Sequence, residues 1–166
     1  MNLSLWIIAG LMAAVFLLAG ANKLLIPQEK LAKAPGGGWV LDFSAGFVKA
    51  LGAVEILGAV GLILPALLDI APVLVPMAAV GLALIMVGAA IVTFRRQEFK
   101  HVLLNLTYLA LLVFVAFGRF FGPESFTDRQ DGILLLSGLL FIFAAFVFLW
   151  FVGTLHGVLR GAGNPR

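Results

Sequence analysis

The sequence contains no cysteine, and only 11% of its 166 residues are charged. The absence of cysteine excludes a disulfide framework, a thiol relay, an iron–sulfur cluster and cysteine-ligated zinc. Soluble domains carry roughly 25% charged residues, so this chain lacks the polar side chains needed to coat a compact particle in water. Because 63% of the residues are apolar and the mean hydropathy is +1.15, we expect the chain to be embedded in lipid.

The scarce polar residues also argue against two further classes: nucleic-acid-binding proteins and proteins with a metal site. The 11 basic and 8 acidic residues give a net charge of +3, but no basic run is longer than two residues, and this argues against nucleic-acid binding. The two histidines, His101 and His156, are far apart in the sequence and no H-E-x-x-H pattern is present. We therefore expect no metal site and no evident tightly bound cofactor.

Five apolar stretches are long enough to cross a membrane, which requires about 20 residues. The sequence thus predicts an all-α, polytopic transmembrane bundle with spans at 3–24, 46–66, 72–94, 101–119 and 133–155. The organisation follows as a four-span core over residues 1–120, an acidic outer loop over 121–132, the fifth span over 133–155, and a tail over 156–166. Ala19-Gly20-Ala21 resembles a signal-peptidase site, but the positive charge follows the apolar run instead of preceding it.

Basic residues set the expected orientation of these spans. One side of the membrane would hold Lys23, Lys30, Lys33, Arg95, Arg96, Lys100, Arg160 and Arg166. The other side would hold only Arg119 and Arg129. This bias predicts an outer N-terminus and a cytoplasmic C-terminus in a bacterial inner membrane.

Several polar residues fall within or at the ends of the predicted spans. An ionisable group in hydrocarbon costs on the order of 2.5–3.5 kcal/mol on insertion scales, so each one is a candidate functional residue. The principal candidates are Lys23, Glu55, His101, Asn105 and Tyr108, with Asn22, Lys49 and Thr93 as possible contributors.

The candidates on the fourth predicted span share one helix face. Positions 101, 105 and 108 follow the i, i+4, i+7 spacing that aligns side chains. Glu55 would lie roughly 13 Å, and Tyr108 roughly 10 Å, below the starts of their helices. At those depths Lys23, His101 and Tyr108 are all available partners for Glu55. Lys49 is six positions before Glu55 and so lies on a different face of the same helix. Its long side chain can extend the ammonium to the headgroups.

Two motifs make the chain resemble the DoxX-like family of small bacterial membrane proteins. The first is Ala19-Gly20-Ala21-Asn22-Lys23-Leu24, and the second runs from Lys49 through Gly52, Glu55 and Gly58 to Pro65. The resemblance covers about residues 1–120 and implies a four-helix membrane bundle, with Lys23, Glu55 and His101 at recurrent polar positions. It also implies a link to quinones and redox or sulfur metabolism, whereas other relatives are assembly factors. The fifth span departs from the four-span pattern.

These observations support two functional interpretations. The first is a cytoplasm-side polar cavity that binds a small amphipathic ligand, such as a quinone, in a subunit of a redox or sulfur-metabolising assembly. The second is a non-enzymatic membrane scaffold, in which the polar residues only fix helix register and the fifth span or residues 120–132 recruit a partner protein. Small residues at Gly46, Ala50 and Gly58 suit helix packing or a homo-oligomer face. A transporter is less favoured because no span is broken near its centre.

Overall fold

The structure is a computed structural model, and it describes residues 2–121. This part of the chain contains helices and turns and no strand, as the all-α prediction requires. The helices, in chain order, are α1 (Asn2–Leu25), α2 (Gln28–Ala32), α3 (Ala45–Leu67), α4 (Leu74–Arg95) and α5 (Phe99–Phe121), with a 3-10 helix at Gly38–Asp42 between α2 and α3.

Four of these helices, α1, α3, α4 and α5, are long and apolar enough to cross a membrane. Each begins and ends within two residues of a predicted span, so the first four predicted spans are confirmed. The protein is therefore a multi-pass membrane protein. The predicted fifth span, the tail and nearly all of the predicted acidic loop lie outside the described residues.

The four long helices form a closed ring with up-and-down topology. α1 packs against α3, α3 against α4, α4 against α5, and α5 returns to α1. Neighbouring helices run antiparallel: Gly58 of α3 faces Leu82 of α4, and three residues later Gly61 faces Ala78. As a result, the C-termini of α1 and α4 share one end of the bundle with the N-termini of α3 and α5. We call this the polar end.

The bundle interior is apolar along most of its length. On α1 and α3 the buried positions advance in steps of three and four, the spacing that keeps one helix face toward its neighbours. The residues of this core include Ala9, Met12, Phe16, Ala59, Leu62, Ala79, Leu82, Met86, Leu112 and Val115. Large apolar side chains such as Leu11, Leu57 and Phe117 are exposed on the outer faces, where lipid is their natural solvent.

Two helix ends at the polar end are fixed by local hydrogen bonds. The Ser44 side chain accepts a hydrogen bond from the backbone N–H of Phe47 at 3.2 Å and caps the start of α3. α4 ends at Arg95, and two residues later Gln97 lies in the left-handed region at φ 61°. There Glu98 N donates to Thr93 O and Gln97 N donates to Phe94 O, both at 3.0 Å. This pair of bonds closes the helix and positions the turn into α5.

The connection between α1 and α3, residues 26–44, folds into a compact unit that we call the cap segment. It contains α2 and the 3-10 helix, neither of which the sequence analysis predicted. The Gln28 side-chain amide donates hydrogen bonds to the carbonyl oxygens of Val40 and Phe43. Val40 is buried. These contacts tie the two short helices together at the polar end of the bundle.

Candidate functional site

The polar end continues the same interior faces that form the apolar core. On α1 the buried series Leu5, Ala9, Met12 and Phe16 leads to Gly20 and then to Lys23. On α5 the predicted stripe at His101, Asn105 and Tyr108 continues into the buried Leu112 and Val115. Lys23, Asn105 and Tyr108 therefore continue the interior faces of their helices at one end of the bundle, and His101, with its side chain 38% exposed, lies at the edge of the same stripe.

Two glycines bring α1 and α3 unusually close at this end. A Cβ atom built on Gly20 would lie 2.5 Å from the carbonyl oxygen of Gly52 and 2.8 Å from Cγ1 of Ile56. A Cβ atom on Gly52 would lie 2.8 Å from the carbonyl oxygen of Gly20 and 2.8 Å from Cβ of Lys23. Only glycine lets the two backbones approach this closely, and the approach places Lys23 next to Glu55.

Lys23 and Glu55 form a charged pair across this contact. Nζ of Lys23 lies 2.7 Å from Oε2 and 3.0 Å from Oε1 of Glu55. The side chains are 13% and 4% exposed, respectively. Both carboxylate oxygens thus accept from one ammonium group in a site that is almost closed to solvent and lipid.

The cap segment adds an aromatic ring to this pair. The Lys23 ammonium lies 5.8 Å from the centroid of the Trp39 ring, within the range of a cation–π interaction. Trp39 belongs to the 3-10 helix Gly38–Asp42. The ammonium is therefore held between a carboxylate on α3 and an aromatic face from the cap segment.

A second polar contact joins α4 and α5 at the same end. The buried Thr93 hydroxyl donates to the carbonyl oxygen of Ala89 at 2.9 Å. Its oxygen accepts a hydrogen bond from the Asn105 side-chain amide at 3.2 Å. The hydroxyl thus both donates and accepts a hydrogen bond, and Thr93 and Asn105 form a small polar bridge between the helices.

The cap segment is held to the α4–α5 turn by a surface network. Arg96 contacts Oδ2 of Asp42 at 2.8 Å and Oε1 of Glu98 at 3.0 Å. These hydrogen bonds, to Glu98 and to Asp42, raise the pKa of the Arg96 guanidinium above its ordinary value. Glu98 also lies 3.5 Å from Nδ1 of His101, and Gly36 of the cap segment abuts the His101 ring.

The structure thus brings the sequence-predicted residues together in three groups. Lys23 meets Glu55, Thr93 meets Asn105, and His101 contacts the turn and the cap segment. Within residues 2–121, no hydrogen bond or ion pair joins Glu55 to His101 or to Tyr108. Tyr108 instead packs against the apolar core, while Asn22 and Lys49 are exposed.

Three elements of the site were absent from the sequence analysis: the Gly20–Gly52 contact, the Trp39 ring and the Asp42–Arg96 ion pair. Gly20 and Gly52 were visible within the family motifs, but their facing each other depends on helix rotation. Trp39 and Asp42 lie in the cap segment, whose course is set by contacts between distant parts of the chain. No local spacing signals such contacts.

The fold and the site define a class of protein: a multi-pass membrane bundle with an apolar core and a charged pair buried at one end. The DoxX-like family model matches residues 7–115, which is more than half of the chain. The chain belongs to the DoxX-like family. Comparison with curated proteins and with solved structures gives no match.

Proposed function

We propose that this protein binds a small amphipathic ligand of the quinone class at its polar end, as a membrane subunit of a redox or sulfur-metabolising assembly. The observation that carries the proposal is the nearly closed Lys23–Glu55 pair. Apolar residues of similar volume often hold helices together as well as a buried ion pair does. A charged pair at such a position therefore favours a chemical role.

The groups around the pair suit a ring with carbonyl oxygens. A lysine ammonium has three N–H donors, and Glu55 engages at most two of them, which leaves at least one for a ligand carbonyl. In this proposal Glu55 accepts or releases a proton when the bound ring changes redox state, while the partner redox subunit supplies or takes the electrons. Asn105, Tyr108 and His101 complete the polar surroundings.

The proposal includes a location and an orientation. The protein would lie in a bacterial inner membrane with its N-terminus outside and the polar end at the cytoplasmic face. The cations of the cap segment and of the α4–α5 turn support this orientation, because basic residues are enriched in cytoplasmic loops.

A second candidate function is a non-enzymatic scaffold or assembly factor for a partner membrane protein. It is favoured by one observation: both carboxylate oxygens of Glu55 already accept from Lys23, in a seam where Gly20 and Gly52 fix the helix contact. Setting the register of two helices is a sufficient role for a polar pair of this kind. The predicted recruiting segments, residues 120–132 and the fifth span, fall almost entirely outside the described residues.

Native mass spectrometry of the full chain in mild detergent tests both candidates. The wild type is compared with Glu55→Gln, with the charge-swapped Lys23→Glu/Glu55→Lys double variant, and with Glu29→Gln as a matched control at an exposed carboxylate. Ligand binding predicts a co-purified quinone mass in the wild type and in Glu29→Gln that disappears from the other two. An empty wild type with a second polypeptide retained in all four samples would reject ligand binding and favour the scaffold.

A further inference from the structure

The polar end carries exposed cations that have no partner within residues 2–121. None of them takes part in an ion pair, a hydrogen bond from its side chain or a cation–π contact in that part of the chain. We call the set the cationic rim: Lys30, Lys33, Lys49, Arg95 and Lys100. Glu29 is the exposed acidic residue at this end that likewise lacks a partner in the described range.

The cationic rim draws on four elements that meet at the polar end: the cap segment, the start of α3, the end of α4 and the start of α5. Lys30 lies in α2 and Lys33 directly follows it, whereas Arg95 is the last residue of α4 and Lys100 the second residue of α5. Lys49 is four residues into α3, or roughly 6 Å along its axis, from where a lysine can extend its ammonium to the interface. All five residues thus lie at the polar end or within about one helical turn of it, from where their charges can extend to the headgroup layer of one leaflet.

The acidic residues of the polar end do not neutralise the cationic rim. Glu55 pairs with Lys23, and both Asp42 and Glu98 pair with Arg96. Residues 23–55 and 93–101 together contain seven lysines and arginines and four carboxylates, which gives a net charge of +3. A surface potential of this sign attracts anions and repels cations.

Aromatic residues occupy the same end of the bundle. The Trp39 and Phe43 rings meet edge to face at a centroid distance of 6.0 Å, and Phe43 stacks on Phe47 at 4.9 Å. Leu41, which lies between Trp39 and Phe43 in the sequence, is 63% exposed. Aromatic rings are enriched at membrane interfaces, so this row of rings supports headgroup depth for the cap segment.

We infer that the cationic rim and the cap segment form a binding surface for anionic phospholipid headgroups of the leaflet that they contact. Positive charge at headgroup depth beside interfacial aromatic rings is the combination that recognises such a lipid surface. Each lysine or arginine near an anionic surface strengthens binding by about fivefold. The inference is independent of any ligand at Lys23 and Glu55.

Two single-tryptophan variants of the full chain provide a matched test, because the chain has three tryptophans. Trp6→Phe/Trp150→Phe leaves Trp39 at the cationic rim. Trp39→Phe/Trp150→Phe leaves Trp6, which lies beside Arg119 near the other end of the bundle. Each variant is reconstituted into vesicles of equal parts phosphatidylglycerol and phosphatidylcholine, with bromine on the chains of one lipid or the other, and the quenching of fluorescence is compared.

We expect brominated phosphatidylglycerol to quench Trp39 more strongly than brominated phosphatidylcholine, with a clearly smaller preference at Trp6. Adding Lys30→Gln, Lys33→Gln and Lys100→Gln should reduce the preference at Trp39 by fivefold or more, and 0.5 M salt should also weaken it by screening. Glu29→Gln should leave it unchanged or raise it.

Equal quenching of Trp39 by the two lipids, or a preference that survives loss of the three lysines, would overturn the inference. The second result would instead assign these cations to another role, such as contact with an acidic protein. Circular dichroism and gel filtration check that each variant is folded before its quenching is compared. If the triple variant does not fold, Lys30→Gln alone is used, and the quenching preference at Trp39 is expected to fall by about fivefold.

Discussion

The sharpest stability prediction concerns the two members of the buried charged pair, taken singly and together. At the 2.7 Å separation of Lys23 and Glu55, the gross attraction is about 6 kcal/mol for an effective dielectric constant of about 20. The desolvation penalty is several kcal/mol for each ion. These terms nearly cancel, so we expect the Lys23→Met/Glu55→Leu double variant to be within about 1.5 kcal/mol of the wild type or more stable.

The single variants should differ from each other because the two side chains are unequally exposed. Lys23→Met leaves the Glu55 carboxylate, which is 4% exposed, without its cation, and we expect a loss of about 3–5 kcal/mol. Glu55→Leu leaves Lys23, which is 13% exposed and has a long side chain that can move toward the interface, so its loss should be only about 1–2 kcal/mol.

Equilibrium unfolding of the four proteins in mild detergent, followed by circular dichroism, measures these differences directly. A double variant as unstable as Lys23→Met would refute the reasoning, because it would show that the pair itself contributes net stability. Equal losses in the two single variants would refute the part of the reasoning that rests on exposure.

Three further predictions address the contacts around the pair. Gly52→Ala should destabilise the protein by about 1–3 kcal/mol through overpacking against α1, whereas Gly10→Ala, where a Cβ meets nothing within 4 Å, should be neutral or slightly stabilising in the same unfolding assay. Thr93→Val removes an interhelical hydrogen bond and should cost about 0.6–1 kcal/mol; an unchanged unfolding midpoint would contradict this. Asp42→Asn weakens the ion pair with Arg96, so limited proteolysis should cut the cap segment faster, and an unchanged rate would show that the pair does not hold it.

The boundaries of the four membrane helices were predictable because one strong signal sets each of them. Apolar runs of about 20 residues must be helical in lipid, and they stop where polar or helix-breaking residues begin. The first span was predicted at 3–24 and is found at Asn2–Leu25; the fourth was predicted at 101–119 and is found at Phe99–Phe121. The helices extend one or two residues past the predicted ends, a difference within the usual spread of helix boundaries.

The partner of Glu55 was not predictable to the same degree. Depth along the bundle permitted Lys23, His101 and Tyr108 equally, because rise per residue says nothing about helix rotation. The structure selects Lys23, and the reason is the backbone contact between Gly20 and Gly52, which rotates α1 and α3 until the two side chains face each other. Rotation is a property of the packed bundle and is not encoded in the length of any apolar run.

The cap segment was missed for a different reason. α2 has five residues, too few to show a helical period, and a helix this short is not stable alone. Its position depends on Gln28 donating to carbonyl groups 12 and 15 residues away and on Asp42 reaching Arg96 across 54 residues. Contacts of this range leave no periodic trace in the sequence.

The same contacts determine how a ligand can reach the charged pair. Gly20 and Gly52 close the seam between α1 and α3 beside Glu55, since not even a methyl group fits there without displacing backbone. Lys23 is the more exposed member of the pair, and its ammonium faces the Trp39 ring of the cap segment. In the ligand complex that we propose, Lys23 is therefore the member of the pair that meets the ligand, and the Trp39 ring borders that contact.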